Sequence, residues 1–440
     1  MRRKVAIAAV LAATLFGAAA CGGDDKGGES TKNPLDGKGT TIKVWLMVDA
    51  QSGWQNVVDD ATARYKAATG GDVKVEYQQW GTVLTNLDTA LASSDVPDVV
   101  ELGNTQMSKY VFDGAFAELD KSKFENSANW LTGLSGACEY EGKSYCAPYY
   151  AGARVLIYRT DLFEKSGLKA PTTYDELLAA AEKLKTDNAS DKNFAPFYMA
   201  GANWYAAMSW VYNEGGAIAK NDGGKWTGTL SSPEAQAGLT KWADLVKKYS
   251  KGDVTKDEAD QDAIFAQGHA AMLYGNGWEL GAVQQQRKDP NDANSPLVDT
   301  AVKGKVAAVA LPGATAGKGI PSFLGGSDLA VTEKSKQKEL AKEWLKYFTD
   351  STANKGLIAK GALPNATNLM DEVIATKPDN AAAANAAKSS WFVPVAPHWA
   401  DVEQQGVLVQ MLRDIVTGKA TIADATKAAD EKITAALNQS

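Results

Sequence analysis

Histidine is nearly absent: the 440 residues hold two, His269 and His398, far apart in the chain. A histidine-based metal centre or proton shuttle is hard to build from that stock. Cysteine is scarce, with three residues. There is no surplus of basic charge. Lys and Arg number 46 against 53 Asp and Glu, a formal net charge of −7, so no basic face is offered to nucleic acid. The apolar run Val5–Ala20 is shorter than the about 20 residues that a membrane-spanning helix needs. A zinc enzyme, a hydrolytic triad and a DNA binder are therefore disfavoured. What the chain does have is 45% hydrophobic residues with 12 Trp and 15 Tyr, enough for about two to three domains with full cores.

The N-terminus reads as an address. Arg2, Arg3 and Lys4 precede the uncharged run, which ends in Ala18-Ala19-Ala20, the layout of an export signal over residues 1–20. Ala18-Ala19-Ala20-Cys21 resembles the lipobox at which bacterial prolipoproteins are lipidated on Cys, with Ala18 where Leu is usual. Lipidation of Cys21 is expected; plain secretion with Cys21 incidental is the other reading. Loss of residues 1–20 would remove three cations and no acid, so the exported body is more acidic still and would rely on the lipid for anchoring. Residues 21–40, rich in Gly, Asp, Lys and Ser, form a flexible tether reaching on the order of 24 Å. The remaining cysteines, Cys138 and Cys146, flank a turn at Glu141-Gly142-Lys143. In an exported chain so close a pair is most simply a disulfide. A two-cysteine metal site would lack nearby His or further Cys, so no metal is expected.

Periodicity alternates beyond residue 41. Ile42, Val44, Leu46 and Val48 mark a strand; Trp54–Thr69 is helical and stopped by Gly70-Gly71. Val73, Val75 and Tyr77 mark a second strand, Val83–Leu91 a helix, and Val99–Leu102 a short buried strand. This is the βαβ rhythm of a mostly parallel sheet in an α/β fold. Thr173 with Glu176 predicts a capping box, Ser232-Pro233 a capped start, and Thr421 the cap of a final helix. Val306–Leu311 predicts a strand that crosses between lobes.

Catalytic motifs fail on inspection. Gly313 to Gly319 has three residues between its glycines and no Ser or Thr after Lys318, so it is no phosphate loop; Gly275 to Gly281 misses the dinucleotide pattern by one position. Gly325-Gly326-Ser327-Asp328-Leu329 lacks the closing Gly of a nucleophile elbow. No spacing singles out a carboxylate pair for glycoside hydrolysis, which stays the rival enzymatic reading.

An ordered series does match. Pro97–Val100, Gly142–Tyr150, Ile157–Phe163, Pro171–Leu177, Phe265–Met272, Gly325–Val331, Gly361–Pro364 and Thr417–Thr421 together resemble the family 1 extracellular solute-binding proteins, the carbohydrate receptors of bacterial ABC importers. Glu101–Gln106, Asn203–Tyr205 and Gly277–Glu279 further resemble the actinomycete subgroup that includes chitobiose-binding proteins. The resemblance implies a non-enzymatic receptor without cofactor. It implies two α/β lobes, residues 41–151 with 313–362 and residues 152–312 with 363–440, that close on an oligosaccharide. It also implies a monomer on the outer face of the cell membrane, with permease subunits as partners. A surface sensor without an importer would look the same.

Sugar rings offer apolar faces to Trp and a hydroxyl rim to Asp, Glu, Asn, Gln and Arg. Matching positions nominate Asp49, Asn104 and Gln106 on one side of the cleft, and Trp204, Trp278, Glu279 and Trp399 on the other. Trp80, Arg154, Asn203, Ser327, Asp328 and Asn365 are further candidates. Arg154 could equally form a salt bridge, and Ser327 and Asp328 could merely cap a turn. Trp45, Trp210, Trp242 and Trp344 fall in strand or helix patterns and read as core.

Overall fold

The computed structural model describes residues 33–251, 253–258, 260–289 and 295–439. The signal, Cys21 and most of the tether lie outside the described residues. Strand β1 (Thr41–Met47) runs into helix α1 (Val48–Thr69), followed by β2 (Asp72–Gln78), α2 (Val83–Ala92), β3 (Val99–Gly103) and α3 (Asn104–Phe112). The helix predicted from Trp54 starts at Val48 and is broken at Trp54, where the backbone leaves helical geometry (φ −148°, ψ 41°). Its end is as expected, with the Gly70 N–H returning to the Lys66 carbonyl.

Further along lie β4 (Cys146–Arg159), α4 (Trp204–Asn213), α5 (Pro233–Tyr249), β5 (Met272–Asn276), β6 (Val306–Val309), β7 (Ser322–Val331) and α6 (Lys338–Thr349). The chain closes with β8 (Ser390–Trp391), α7 (Trp399–Gln404), α8 (Val407–Val416) and α9 (Ile422–Leu437). The main sheet has the order β6-β4-β7-β3-β1-β2, with β5 added on β4 and β8 on β7. Parallel pairing holds for β2-β1-β3 and β7-β8. The pairs made by β4 and β3 with β7, and by β5 and β6 with β4, are antiparallel. The expected parallel character thus covers one region of the sheet.

The reason is β4, whose 14 residues serve two neighbourhoods. Cys146 to Ala153 pair with β7, and Arg154 to Arg159 pair with β5 and β6. The predicted strand at Val306 therefore lies beside the second half of β4; the long strands through the middle are β4 and β7. Buried side chains gather into separate clusters. One holds Val44, Leu46, Tyr65, Tyr149, Trp344 and Phe348. The other holds Leu156, Trp210, Trp242, Met272, Leu412 and Ile433. Trp210, Trp242 and Trp344 are core residues, as their helical spacing predicted. Trp45 is half-buried, its indole N–H donating to Glu76 at 2.9 Å.

Polar side chains fix the ends of elements. The Ser232 hydroxyl accepts from the Ala235 N–H at 3.3 Å, and Thr421 from the Asp424 N–H at 3.1 Å. At the predicted capping box, Thr173 accepts from the Glu176 N–H, while Glu176 reaches back to the N–H and hydroxyl of Thr172, one residue earlier than expected. A disulfide joins Cys138 to Cys146. Among the described residues no helix is long and apolar enough to cross a membrane.

Asp430 on α9 accepts from the Leu230 N–H at 2.7 Å, the Ser231 N–H at 2.8 Å and the Ser231 hydroxyl at 2.5 Å. It ties the C-terminal helix to the segment that leads into α5. Asp430→Ala would leave those donors without their acceptor, at about 2–3 kcal/mol; the urea midpoint of the variant is expected to fall accordingly.

Candidate functional site

One group of side chains stands at the carboxyl ends of β1 and β3, where open α/β sheets bind ligands. Asp49, in the first turn of α1, accepts from the Trp80 indole N–H at 2.6 Å. Trp80 is 43% exposed, so one of the largest apolar faces of the molecule is presented to solvent and held by a carboxylate. Gln106 on α3 folds back over Gly103. A Cβ on Gly103 would lie 2.5 Å from Gln106 Oε1 and 3.7 Å from Trp80 Cζ3, so a larger residue there would displace the Gln106 amide. Behind them Glu101 is buried and accepts from the Met47 N–H at 2.8 Å. Burial pushes its carboxyl up to about 7, the Met47 bond opposing and Asp49 reinforcing. Trp54, at the break in α1, donates to the Tyr149 hydroxyl at 2.6 Å and packs edge-on against Tyr150 at 5.2 Å.

A second group is built on β4, α4 and α7. The Arg154 guanidinium pairs with Glu258 and lies over the rings of Tyr205 at 5.0 Å and Phe323 at 5.4 Å. Trp204 stacks on Tyr205 at 3.8 Å and meets Trp399 at 5.9 Å. The Tyr205 hydroxyl donates to Glu403 Oε1 at 3.1 Å. Burial pushes the Glu403 carboxyl up to about 7, against the opposing pull of the Tyr205 and Thr105 hydroxyls. Thr105 comes from α3, so Glu403 is where the two groups meet. A cavity of about 10 Å³ beside Trp204, Trp399 and Glu403 is large enough for about one water.

Of the residues nominated from sequence, Asp49, Trp80 and Gln106 are brought together, as are Arg154, Trp204 and Trp399. Arg154 does form the salt bridge that was its alternative reading, with Glu258 as partner. Trp399 lies on a fully buried helix face and packs as core. Trp278 is 60% exposed at the start of a short turn of helix. Its neighbour Glu279 turns inward: its oxygens accept from Gln261 Nε2 at 2.9 and 2.8 Å and from the Asn276 N–H at 3.0 Å. Burial pushes this carboxyl up to about 8.

Several other nominated side chains are taken up by the protein itself, which corrects the expectation of ligand contact. The Asn104 amide donates to the carbonyls of Gly133 and Leu324, at 2.9 and 3.0 Å. Asn203 caps α4 by accepting from the Ala206 N–H at 3.1 Å. Asn365 is fully buried and donates to the carbonyls of Pro148 and Thr349, at 2.9 and 3.1 Å. Ser327 and Asp328 are fully enclosed on β7, and burial raises the Asp328 carboxyl well above the usual carboxylate range. Asn104 and Asn365 hold backbone together because buried carbonyls need donors, whereas Asp328 has no hydrogen-bond partner at either oxygen.

Residues missed from the sequence are Trp54, Tyr150, Tyr205, Glu258 and Glu403. Tyr150 and Tyr205 lay inside the matched motifs, so aromatic type alone could have raised them. Glu258 and Glu403 carried no local signal.

Open ends of parallel strands, aromatic faces and fixed hydroxyl and carboxylate partners define a two-lobed solute-binding protein. The chain belongs to the bacterial extracellular solute-binding protein family, whose profile matches residues 45–355. It is 34% identical, over the whole of both chains, to the diacetylchitobiose binding protein DasA of Streptomyces coelicolor. It is 26% identical to the multiple sugar-binding protein of Streptococcus mutans, over 61% of this chain and 62% of that one. The fold is shared with the GacH receptor of Streptomyces glaucescens (TM-score 0.74, 19% identity, 91% of this chain and 98% of that one). It is also shared with a cyclo/maltodextrin-binding protein complexed with maltotetraose (TM-score 0.72, 21% identity, 92% and 98%).

Glu101, Glu279 and Glu403 have folded-state carboxyls at about 7, 8 and 7, against an ordinary value of 4.5. Between those values the folded chain keeps protons that the unfolded chain has released, so stability falls as pH rises. The melting temperature is expected to drop from pH 5 to pH 8, and Glu279→Gln, which keeps the size of the side chain, is expected to flatten the drop in a thermal denaturation series.

Proposed function

We propose that this chain is the sugar-capturing component of an ABC importer and that it closes on a disaccharide of the chitobiose type. The observation that carries the reading is the end-to-end similarity to a diacetylchitobiose binding protein. The site supports it: Trp80 offers a free ring face beside the carboxylate of Asp49, while Trp204 is buried against Tyr205 and serves to hold that ring in place. An apolar ring face with hydrogen-bonding groups at its edge matches the two-sided chemistry of a pyranose.

Residues 41–151 with 313–362, and 152–312 with 363–440, are the lobes of this reading. The change of partners along β4 near Arg154 supports that division. Helix α7, which carries Glu403, packs against α3, which carries Thr105, and a form closed on the ligand is what the permease subunits would recognise. The protein acts without cofactor, as a monomer and not as an enzyme. It is held at the outer face of the membrane of an actinomycete by a lipid on Cys21, the signal over residues 1–20 having been removed.

Intrinsic tryptophan fluorescence tests this over a panel of chitobiose, cellobiose, xylobiose and maltose. A saturable one-to-one response to chitobiose is expected, and no response to any sugar would overturn the reading. Release of monosaccharide from the panel would overturn the non-enzymatic part. Trp80→Ala is expected to weaken binding about tenfold or more, which is about 1.4 kcal/mol, with the melting temperature unchanged because Trp80 is exposed. Trp399→Ala, by contrast, empties a fully buried position and is expected to cost about 3–5 kcal/mol of stability in a denaturant titration.

A further inference from the structure

The enclosed carboxyl of Asp328 plays no part in the sugar site. It is fully buried, and neither of its oxygens has a hydrogen-bond partner. A buried polar group left so costs about 1–3 kcal/mol, more when charged, and native structures rarely tolerate it without a reason. The neighbours supply one. In the oxidised chain, where the two sulfurs are joined as a disulfide, a carboxylate oxygen of Asp328 lies within 4.8 Å of both, all three from buried residues. Among the described residues this is the set of His, Cys, Asp and Glu side chains close enough to share a metal ion. Asp328 comes from β7, Cys146 from the start of β4, and Cys138 from the turn ahead of the exposed hairpin Glu139–Ser144. The sulfurs sit in an apolar cluster with Met47, Leu102, Tyr110 and Ala330, which excludes competing water.

We propose that the dithiol form of this chain, the form in which it is made, binds one thiophilic divalent cation such as Zn²⁺ or Cd²⁺ through Cys138 Sγ, Cys146 Sγ and the Asp328 carboxylate. Two thiolates and a carboxylate suit such a cation, and water or a backbone carbonyl commonly completes its tetrahedron. Binding moves no electrons: the cation displaces the two thiol protons and the carboxyl proton, which pass to solvent. Disulfide and metal are mutually exclusive, because the disulfide has lost the two electrons that the thiolates would share with the cation. In the oxidised chain the disulfide closes the nine-residue segment Cys138–Cys146.

The test uses the full chain carrying Cys21→Ser, so that the buried pair supplies all the thiols. A phosphine reduces the disulfide: the S–S bond breaks, two S–H bonds form, and the phosphine is oxidised to its oxide with oxygen from water. After removal of the phosphine without air, Cd²⁺ is titrated and the thiolate-to-cadmium charge-transfer absorption is read. One equivalent per chain is expected. Asp328→Asn, neutral and of the same shape, is expected to bind tenfold or more weakly, and Cys138→Ser to give no band. In parallel, Zn²⁺ is expected to raise the melting temperature of the reduced chain and to leave that of reduced Cys138→Ser unchanged. Absence of a stoichiometric band overturns the proposal. So does equal affinity in Asp328→Asn, or a reduced chain that loses its cooperative thermal transition and does not regain it with Zn²⁺.

Discussion

Strand β4 is one continuous hydrogen-bonded segment that belongs to both large buried clusters, and the rest of the structure hangs on that continuity. Its first half is paired to β7 and its second half to β5 and β6. Backbone hydrogen bonds at both ends forbid slippage, since a one-residue shift would turn every buried side chain to the wrong face. Arg154 sits where the partners change, buried among Tyr205, Phe323 and Glu258. A charge enclosed at that point must be matched, and Glu258 matches it. Arg154 and the rings packed against it are thereby positioned from a rigid seam.

Around that seam buried side chains satisfy backbone. The amides of Asn104 and Asn365 donate to carbonyls, and the Asn203 side chain accepts from the Ala206 N–H at the start of α4. Carboxyls are enclosed as well, and burial favours their neutral form, as at Glu101, Glu279 and Glu403. Two of these carboxyls stand directly behind or across the candidate sugar site. Hydrogen bonds of neutral groups suit an uncharged ligand, because they recognise hydroxyls without adding a desolvated charge.

Much of the fold was readable from the chain. The strand at Ile42, the stop at Gly70, the caps at Ser232 and Thr421, and the packing of Trp210, Trp242 and Trp344 follow from local periodicity and capping chemistry, which act over a few residues. The site was readable in part. Asp49, Trp80 and Gln106 lie just beyond strand ends, where motif and position agreed. Glu403 and Tyr205 could not be paired from sequence, being 198 residues apart. Asn365 looked like a ligand contact because a polar residue in a loop and a polar residue bracing a loop have the same local signature.

The sequence by itself determined an α/β body, its family and the pairing of Cys138 with Cys146. These depend on composition and on contacts between near neighbours. Tertiary structure alone decided which polar side chains are taken up by the protein itself. That choice depends on what the far ends of the chain bring alongside each side chain: Glu258 beside Arg154, Gln261 beside Glu279, and the carbonyls of Pro148 and Thr349 beside Asn365. Hydrogen-bond satisfaction is settled in three dimensions, and no spacing along the chain encodes it.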